Sequence, residues 1–417
     1  MVISDEMKKL RVLIVSQYFW PESFRINDIA KSLSEKDIEV EVLTGKPNYP
    51  QGKIFTGYQA WGCQQEVIHN ALINRIPMLS RGSSRWRLAL NYLSFIISGL
   101  VFAPWMLRKK KFDVIFIYGV SPILQAIPGI FLGRLKSCPV ILWVQDLWPE
   151  SLSATNNIQN LMVLDVVKQV VSFIYRQVDL ILAQSPAFVE LIRPMAATTP
   201  IIYYPNSVDD SFSAPPIFEA PEVEGLEEGF SIMFAGNIGA AQCVNVIIEA
   251  ASLLKAYSDI HFVVVGDGSS RDEMLEAASQ RQLVNLHLPG RFPIEKMPAL
   301  MEKASVLLVT LTDQPIFAAT IPNKIQAYLA SGKPIIASLN GEGARVILEA
   351  HAGLASPAED AIKLAETILI LYKMDPRKRE EMGVNGRQYY QRHFNHDQLI
   401  NQLIEYFQGT IAGQYSH

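Results

Sequence analysis

The stretch TIPNKIQAYLASGKPIIAS, residues 320–338, places a short helix directly before a buried strand. Thr320 is a typical N-cap residue, and Pro322 suits the first helical turn, where a missing N–H costs nothing. Apolar residues spaced three and four apart give the helix one buried face, Gly332 ends it, and PIIAS predicts a strand. A helix followed at once by an apolar strand is typical of an α/β protein.

Lys324 lies in the first turn of this predicted helix. That turn is the positive end of the helix dipole, where a cation is disfavoured by about 0.3–1 kcal/mol. A lysine at this position therefore indicates that an anion binds beside it.

The same alternation of strand and helix extends through the chain in two series, separated by the Pro-, Gly- and acid-rich stretch 207–229. Most strands are apolar on both faces, which predicts parallel sheets covered by helices. We expect the first series of strands near 11–16, 38–43, 67–77, 113–118, 139–144, 179–184 and 200–205. We expect the second near 230–236, 261–268, 284–290, 305–311 and 333–338.

A chain of 417 residues is also too long for one core. The pattern predicts two doubly wound, Rossmann-like α/β domains that face each other across a cleft. We place the first at 1–206 and the second at 207–390, and we expect a C-terminal helix, 391–417, to return toward the first domain. Sheets of this kind bind ligands at the carboxyl ends of their strands.

Composition excludes several classes of protein. The formal net charge of −4 argues against a nucleic-acid partner. Three widely spaced cysteines indicate neither a disulfide framework nor a zinc site, and they fit a reducing cytosol. The sequence contains no HExxH or GxSxG motif, so we expect no metal and no other cofactor.

The stretch 88–107 contains twenty uncharged residues, with Arg85 and Arg87 before it and RKKK (108–111) after it. Its length and flanks suit a transmembrane helix. Polar residues within it and a strand directly after it favour a core or interfacial helix, and the span stays open as an alternative. The basic end suits contact with an anionic membrane surface. The earlier apolar run in 7–17 is short for a signal peptide, and we interpret it as the first strand.

Four loops follow strands of the second series: those in FAGNIGAAQ (234–242), VVVGDG (263–268), HLPGRFP (287–293) and PNK (322–324). They offer glycines for close backbone approach, a carboxylate, an Arg–Phe pair and a cation. Each loop is also compatible with a plain strand–helix turn. Together they predict a site for a nucleoside diphosphate.

Three loops of the first series place charged groups beside aromatic residues, in SQYFWPESFRIND (16–28), GKPNYPQGK (45–53) and WVQDLWPES (143–151). Carboxylates bind sugar hydroxyls, and aromatic faces stack on sugar rings, so these loops favour a saccharide site. A structural role is the alternative, with Asp146 capping a helix. The candidate residues for this site are Glu22, Arg25, Asn48, Tyr49, Gln145, Asp146, Trp148 and Glu150.

Taken in order, WVQDLWPES, IIYYPNSVD (201–209), FAGNIGAAQ, VVVGDG and PNKIQAYLASGKPIIAS resemble the motifs of family-4 glycosyltransferases. These are retaining nucleotide-sugar enzymes with the GT-B architecture of two Rossmann-like domains. The set is most similar to the bacterial O-antigen and capsule branch, which includes WbuB-type L-fucosamine transferases. The resemblance implies metal-independent transfer from a nucleotide sugar, held by the C-terminal domain, to an acceptor held by the N-terminal domain. The apolar, basic-ended segment 88–111 favours a lipid-linked saccharide acceptor, and we expect the protein in the cytoplasm at the inner face of the bacterial plasma membrane.

This sequence departs from the family pattern at positions that matter. The family's two glutamates, eight positions apart, align with Ala319 and Ala327, and its histidine before the acid of the WVQD segment aligns with Gln145. The phosphate-binding Arg and Lys that the family often carries after the first strand of its C-terminal domain are also absent, and Asn237 and Gln242 lie in that region. We expect Lys324 to be the cation on the diphosphate instead, with Arg291 or Arg345 helping. Asp146 or Glu22 would orient or deprotonate the acceptor hydroxyl.

The predicted donor site then combines the four loops with Glu342, for sugar hydroxyls, and Arg345, for the diphosphate. Its residues are Gly236, Asn237, Gly239, Gln242, Gly266, Asp267, Arg291, Phe292, Pro322, Asn323, Lys324, Tyr328, Glu342 and Arg345. Two alternatives stay open: a nucleotide-sugar epimerase of the same fold, and a non-catalytic protein that binds a nucleotide sugar. The two alanines motivate the second.

Overall fold

The computed structural model describes residues 9–82, 84–152 and 160–415. The chain forms two compact units. The first contains the chain up to Tyr204 and again from Asp397, and the second is Pro205–His396. The limits predicted from the sequence are 206 and 390.

The first unit is built on an eight-stranded sheet with the order β3-β4-β2-β1-β5-β6-β7-β8. All neighbours are parallel except β3 and β4. The strands are β1 (Arg11–Val15), β2 (Glu39–Thr44), β3 (Gln64–Ile68), β4 (Ala71–Arg75), β5 (Val114–Gly119), β6 (Val140–Val144), β7 (Leu180–Ala183) and β8 (Ile201–Tyr203).

Strands β3 and β4 correct the prediction of one strand near 67–77. They form an antiparallel hairpin in which Ile68 pairs with Ala71. His69 and Asn70, between them, both have positive φ, at 49° and 65°. Two left-handed residues are what a tight hairpin turn requires, and asparagine tolerates that conformation well. The histidine hid this turn from the sequence pattern.

The helices of the first unit are α1 (Arg25–Glu35), α2 (Arg85–Met106), α3 (Ala126–Lys136), α4 (Leu161–Tyr175) and α5 (Pro186–Ala196). Helix α1 covers one face of the sheet. Right-handed crossovers place α2 to α5 on the opposite face. There Gly129 of α3 sits so close to Ile117 that an added Cβ would lie 2.7 Å from it.

The second unit is built on a six-stranded parallel sheet with the order β11-β10-β9-β12-β13-β14. Its strands are β9 (Phe230–Asn237), β10 (Ile260–Asp267), β11 (Leu286–Gly290), β12 (Val306–Thr310), β13 (Ile335–Ser338) and β14 (Gly353–Ser356). Strand β14 was not predicted, because GLAS is short and contains no β-branched residue.

Helices cover both faces of this sheet. They are α6 (Val244–Leu253), α7 (Arg271–Gln280), α8 (Met297–Lys303), α9 (Pro315–Ala318), α10 (Asn323–Ser331), α11 (Glu342–Glu349), α12 (Ala361–Lys373) and α13 (Pro376–His393). One core lies under α6 and α12, and the other under α8, α10 and α11. A final helix, α14 (His396–Ile411), packs on the face of the first sheet that α1 also covers.

Helix α10 begins two residues later than its predicted cap. Thr320 uses its hydroxyl to donate to the carbonyl of Ile316, 2.8 Å away, and Pro322 occupies the N-cap position. Proline has no side-chain acceptor, and no described side chain caps this helix end. Its first N–H groups therefore keep unused hydrogen-bonding capacity.

Candidate functional site

Lys324 lies in an unusual environment at the start of α10. Its Nζ is 3.6 Å from the centre of the Phe234 ring, on β9. The Nζ atom is buried and has no hydrogen-bond partner among the residues that the structure describes. An added Cβ on Gly236 would lie only 2.7 Å from Lys324 Cε, so the lysine occupies space that the glycine leaves open.

Electrostatics make this position unfavourable for a charged lysine without a ligand. Burial lowers the pKa of Lys324 to about 7, because a low-polarity environment disfavours the charged form. The Phe234 ring offsets part of this cost through a cation–π contact. A bound anion would restore the charge, and the uncapped amides of α10 are the natural second contact for it.

The ends of β9 and β10 form the floor of the same region. Gly236 pairs with Gly266, and Asn237 pairs with Asp267. An added Cβ on Gly266 would lie 1.8 Å from the Gly236 carbonyl oxygen, and φ at Gly266 is +149°, so no larger residue fits. The two Gly-rich loops predicted from the sequence are therefore brought side by side.

Hydrogen bonds fix the turn after β9. The Asn237 side-chain amide and the Gly239 N–H both donate to Gln242 Oε1, each at 3.2 Å. The Ile238 N–H donates to the Asp267 carbonyl at 2.8 Å. The Asp267 carboxylate is exposed and accepts from the Gly268 N–H next to it. Asp267 thus offers a free carboxylate edge beside the turn.

Tyr328 corrects the sequence analysis. It is fully buried, and its hydroxyl accepts from the Ala235 N–H at 2.9 Å. The ring fastens α10 to β9 inside the core, so Tyr328 supports the Lys324 position and is not itself a ligand contact. Pro322 and Asn323, at the tip of the helix, are half-buried and exposed.

The remaining donor candidates differ in how available they are. Arg291 is exposed, whereas Phe292 packs against the core of the unit. Glu342, the first residue of α11, accepts from Arg345 at 3.0 and 2.7 Å. Arg345 also pairs with Glu349. Arg345 is therefore neutralised by its own helix, which leaves Lys324 as the better candidate for a phosphate.

Ala319 and Ala327, which stand where the family has glutamates, are both buried. Gly341, after β13, lies against the residue before Ala319: an added Cβ on Gly341 would lie 2.0 Å from the carbonyl oxygen of Ala318. The loops after β12 and β13 are thus in close contact, and Asn340 also donates to Asp313 at 2.9 Å.

In the first unit, Glu22 holds two loops together. Its Oε1 accepts from the N–H groups of Asn48 and Tyr49 at 2.7 and 2.6 Å, and its Oε2 accepts from the Phe19 N–H at 3.2 Å. Burial raises the pKa of Glu22 to about 7, against these three donors, which favour the carboxylate. Both oxygens face backbone, so Glu22 positions the loops after β1 and β2.

Asp146, after β6, is fixed by a hydrogen bond from the loop after the neighbouring strand β5. Its Oδ2 accepts from the Ser121 N–H at 2.7 Å, and burial raises its pKa. Trp148 is buried, and its Nε1 donates to the Ser121 hydroxyl at 3.0 Å. Trp148 therefore helps to fix Ser121, which donates to Asp146, and its burial corrects its predicted role in stacking on a sugar ring.

The other predicted acceptor residues lie at the same edge of the first sheet. Gln145 has a buried side-chain nitrogen without a hydrogen-bond partner among the described residues, and Glu150 is half-buried. Arg25 donates to Asp28 at 2.9 Å, which is a local ion pair on α1. Asn48 is buried and accepts from the Arg81 N–H at 2.9 Å.

Aromatic rings cluster at this edge, and the sequence analysis named Tyr49 among them as a site residue but not Tyr18, Phe24 or Tyr92. Tyr18 stacks on Phe24 with ring centroids 5.1 Å apart, and Tyr49 lies 5.5 and 5.2 Å from these two rings. Tyr92, on α2, contributes to the electrostatic environment of Asp146 and Tyr18. Tyr18, Phe24 and Tyr49 lie in the loops 16–28 and 45–53, which the sequence analysis singled out. The helical pattern of α2 gives no signal for Tyr92. Phe234 was missed in the same way, inside a strand.

No cluster of three or more histidine, cysteine, aspartate or glutamate side chains suits a metal ion within residues 9–82, 84–152 and 160–415. The three cysteines, Cys63, Cys138 and Cys243, are free thiols.

Comparison with known families accounts for both units. Residues 23–206 match the "Glycosyl transferase 4-like domain" and residues 229–374 match "Glycosyl transferases group 1". The two matches follow one another along most of the chain. The protein is therefore a glycosyltransferase with the two-domain GT-B fold.

Two relatives extend over most of the chain. The putative colanic acid biosynthesis glycosyl transferase WcaI of Escherichia coli K12 is 26% identical over 344 residues, which is 78% of this chain and 82% of WcaI. The uncharacterized glycosyltransferase MJ1178 of Methanocaldococcus jannaschii is 20% identical over 384 residues, 92% of this chain and 93% of MJ1178.

Solved structures share the fold. Sucrose-phosphate synthase from Thermosynechococcus elongatus superposes with a TM-score of 0.75 at 15% identity, covering 97% of this chain and all of that one. Anabaena HepE in complex with UDP and glucose superposes with a TM-score of 0.68 at 15% identity, covering 96% of this chain and all of HepE. At such low identity the likeness establishes the fold alone.

Proposed function

We propose that the enzyme transfers a sugar, with retention at the anomeric carbon, from a nucleoside-diphosphate sugar to a lipid-linked saccharide in O-antigen, capsule or exopolysaccharide synthesis. The observation that carries this proposal is Lys324, whose buried amino group has no hydrogen-bond partner among the described residues and lies at an uncapped helix start, beside two Gly-rich turns. A diphosphate supplies the negative charge and the oxygen acceptors that this position lacks.

The relatives support the same assignment. HepE is described in complex with UDP and glucose, which is the chemistry of a nucleotide-sugar donor. WcaI is named for colanic acid, an exopolysaccharide. Within this class, we propose that the transferred sugar is an N-acetylated deoxyhexosamine, as the resemblance to L-fucosamine transferases suggests.

The chemistry divides between the leaving group and the protein. The bond between the anomeric carbon and the diphosphate oxygen breaks, and a new bond forms to the acceptor oxygen. The acceptor proton passes to the departing diphosphate. Lys324, protonated when the donor is bound, faces the charge that grows on the diphosphate and stabilises it. A protein base is not required in this scheme, which fits alanine at positions 319 and 327.

On the acceptor side, we assign Asp146 to the acceptor hydroxyl, because Ser121 donates to it and Trp148 in turn donates to Ser121. Glu22 acts one step removed, by fixing the loop that carries Asn48 and Tyr49. Positioning of both partners supplies a large part of the rate enhancement in a reaction of this type. The apolar, basic-ended segment 88–111 favours a lipid carrier on the acceptor.

A second candidate is a protein that binds a nucleotide sugar without turnover. It is motivated by Ala319 and Ala327, because the loss of two glutamates removes the family's usual contacts to the donor. It shares the donor site with the transferase and differs in the absence of product.

Thermal unfolding with UDP, dTDP, GDP and their sugar conjugates tests the donor site. A ligand that binds only the folded protein stabilises it by about 2.7 kcal/mol at 100 times its dissociation constant. We expect one nucleotide series to raise the unfolding temperature of the wild type, and Lys324→Met to lose the response. Lys333→Met is the matched control, because Lys333 is partly buried but has Glu302 and Glu380 nearby.

The effective nucleotide then identifies the donor for assays of transfer to lipid-linked acceptors. Acceptor-dependent release of the nucleoside diphosphate supports the transferase, and tight binding without any release supports the second candidate. If no nucleotide moves the transition, the donor site is assigned wrongly.

A further inference from the structure

Helix α2 exposes a long apolar face. Among the described residues it is the one helix long and apolar enough to cross a bilayer. Trp86 is 82% exposed, Ile97 61% and Trp105 62%. Leu90, Leu93 and Val101 continue the same stripe between them. Apolar surface of this extent on a soluble unit marks an interaction site.

The opposite side of α2 is fixed to the protein. Gln17 donates to Asn91 Oδ1 at 2.8 Å, and Asn91 donates to the Leu79 carbonyl at 2.6 Å. An added Cβ on Gly99 would lie 2.7 Å from Pro128 of α3. The helix therefore cannot leave the unit to span a membrane without breaking these contacts, and its outer face alone is available.

Basic residues surround the apolar stripe at both ends. Arg87 is exposed at the start, and Arg108, Lys109 and Lys111 are exposed just after the end. No charged residue lies between Arg87 and Arg108. This charge pattern complements an anionic surface.

The basic end is held in shape. Lys136 donates to the carbonyls of Leu107, Arg108 and Lys110, which satisfies the end of α2. Arg108 lies over the Trp105 ring, 5.2 Å from its centre. Tryptophan beside arginine at the end of an apolar helix is the arrangement found at membrane interfaces.

We infer that α2 lies flat on an anionic lipid surface, with the stripe from Trp86 to Trp105 in the acyl boundary and the flanking basic residues on the headgroups. This deepens the proposed function, on which its biological purpose rests, by naming the surface that meets the lipid carrier. Asn91, on the same helix, accepts from Gln17 in the loop after β1, which is at the carboxyl edge of the first sheet. Docking through α2 would thus bring the acceptor edge of the first unit close to the bilayer.

Vesicle flotation with the full-length protein tests this inference. We expect binding to vesicles of phosphatidylglycerol and phosphatidylcholine, weaker binding to phosphatidylcholine alone, and release by salt. Ile97→Ser should weaken binding by roughly tenfold. Lys109→Gln with Lys111→Gln should weaken it by about fivefold for each charge removed.

Matched controls exist in the second unit. Ile362 on α12 is 63% exposed, nearly as much as Ile97, and Lys378 on α13 is also exposed. Ile362→Ser and Lys378→Gln should leave vesicle binding unchanged. Lys324→Met should also bind vesicles normally, so loss of the donor site and loss of membrane contact can be told apart.

Several outcomes would overturn the inference. The inference is wrong if the wild type does not bind anionic vesicles. It is also wrong if Ile97→Ser leaves vesicle binding unchanged. Resistance to alkaline washing would indicate a helix that spans the bilayer. Self-association without vesicle binding, abolished by Ile97→Ser, would assign the face to a second copy of this chain.

Discussion

The Nζ of Lys324 lies 3.6 Å from the centre of the Phe234 ring and makes no hydrogen bond within the described chain. A buried polar group without a partner costs stability. This destabilising lysine lies at the carboxyl edge of the second sheet, beside the turns of Gly236 and Gly266. Such a cost is typical of functional sites, where an absent ligand completes the interactions.

Replacing Lys324 should stabilise the empty protein. In Lys324→Met, an apolar group of similar length takes the place of the unpaired ammonium, and we expect the free energy of unfolding to rise by ~1–3 kcal/mol near pH 7. Denaturant titration without nucleotide measures this change. A loss of stability would mean that the lysine is satisfied by groups other than a ligand.

The effect of Lys324 on stability should depend on pH. Its pKa is about 7 in the folded protein against an ordinary value of 10.5. Between pH 7 and pH 10.5 the lysine is protonated in the unfolded chain and neutral in the folded chain. Unfolding then takes up a proton, so the free energy of unfolding of the wild type rises with pH. The advantage of Lys324→Met should therefore be largest below pH 7 and shrink as pH rises toward 10. Unfolding curves of both proteins at several pH values check this, and a constant difference would contradict it.

Gly236→Ala should disturb the site directly. The new Cβ would lie 2.7 Å from Lys324 Cε, at a backbone φ of +135°. We expect donor affinity to fall at least tenfold, because the lysine must move. Gly57→Ala is a suitable control, since Gly57 has φ of +91° and nothing within 4 Å of an added Cβ. Equal effects of both variants on donor binding would show that backbone strain, and not the lysine, is responsible.

Tyr328→Phe separates support from contact. The variant removes the hydroxyl that accepts from the Ala235 N–H and leaves that buried donor unpaired. We expect a loss of about 1–3 kcal/mol in unfolding free energy with donor affinity little changed. Calorimetric titration of the donor checks the second part. A specific loss of affinity in a stably folded variant would restore Tyr328 to the list of ligand contacts.

Glu22→Gln should act on the acceptor side. A glutamine has only one side-chain oxygen to accept from the three backbone N–H donors. Its NH₂ group would replace the other carboxylate oxygen and face a backbone N–H, so two donors would point at each other. We expect the loops after β1 and β2 to loosen, with a higher KM for the acceptor and an unchanged KM for the donor. An unchanged acceptor KM would show that these loops do not hold the acceptor.

Most of the fold could be predicted from the sequence, because the strands are apolar on both faces and the apolar residues of the helices between them recur at helical spacing. It could not give the β3–β4 hairpin or β14, where the signal depended on His69 and on the four residues GLAS. Nor could it give the start of α10, because a threonine two residues ahead of the true N-cap imitates one.

For the site, the sequence placed Lys324 at a helix start and the glycines at strand ends, and the structure has them there. Their role in donor binding stays a prediction. It could not tell an exposed aromatic residue from a buried one. Trp148 lies in a loop after β6 and Tyr328 lies in the middle of α10, and the structure places both in the interior. The sequence could not predict a role for Phe234, because the residue lies inside a strand and only the packing of α10 on β9 brings its ring next to Lys324.

The central claim is that the donor diphosphate sits on Lys324, and proton uptake tests it most directly. Calorimetric titration of the donor nucleotide sugar at pH 8, in two buffers of different ionisation enthalpy, measures the protons bound with the ligand. Both phosphates of such a donor are esterified, so its own charge is constant. We predict that the wild type takes up close to one proton per donor and that Lys324→Met takes up none and binds weakly. Equal affinity of the two proteins, with no proton uptake by either, would contradict the account.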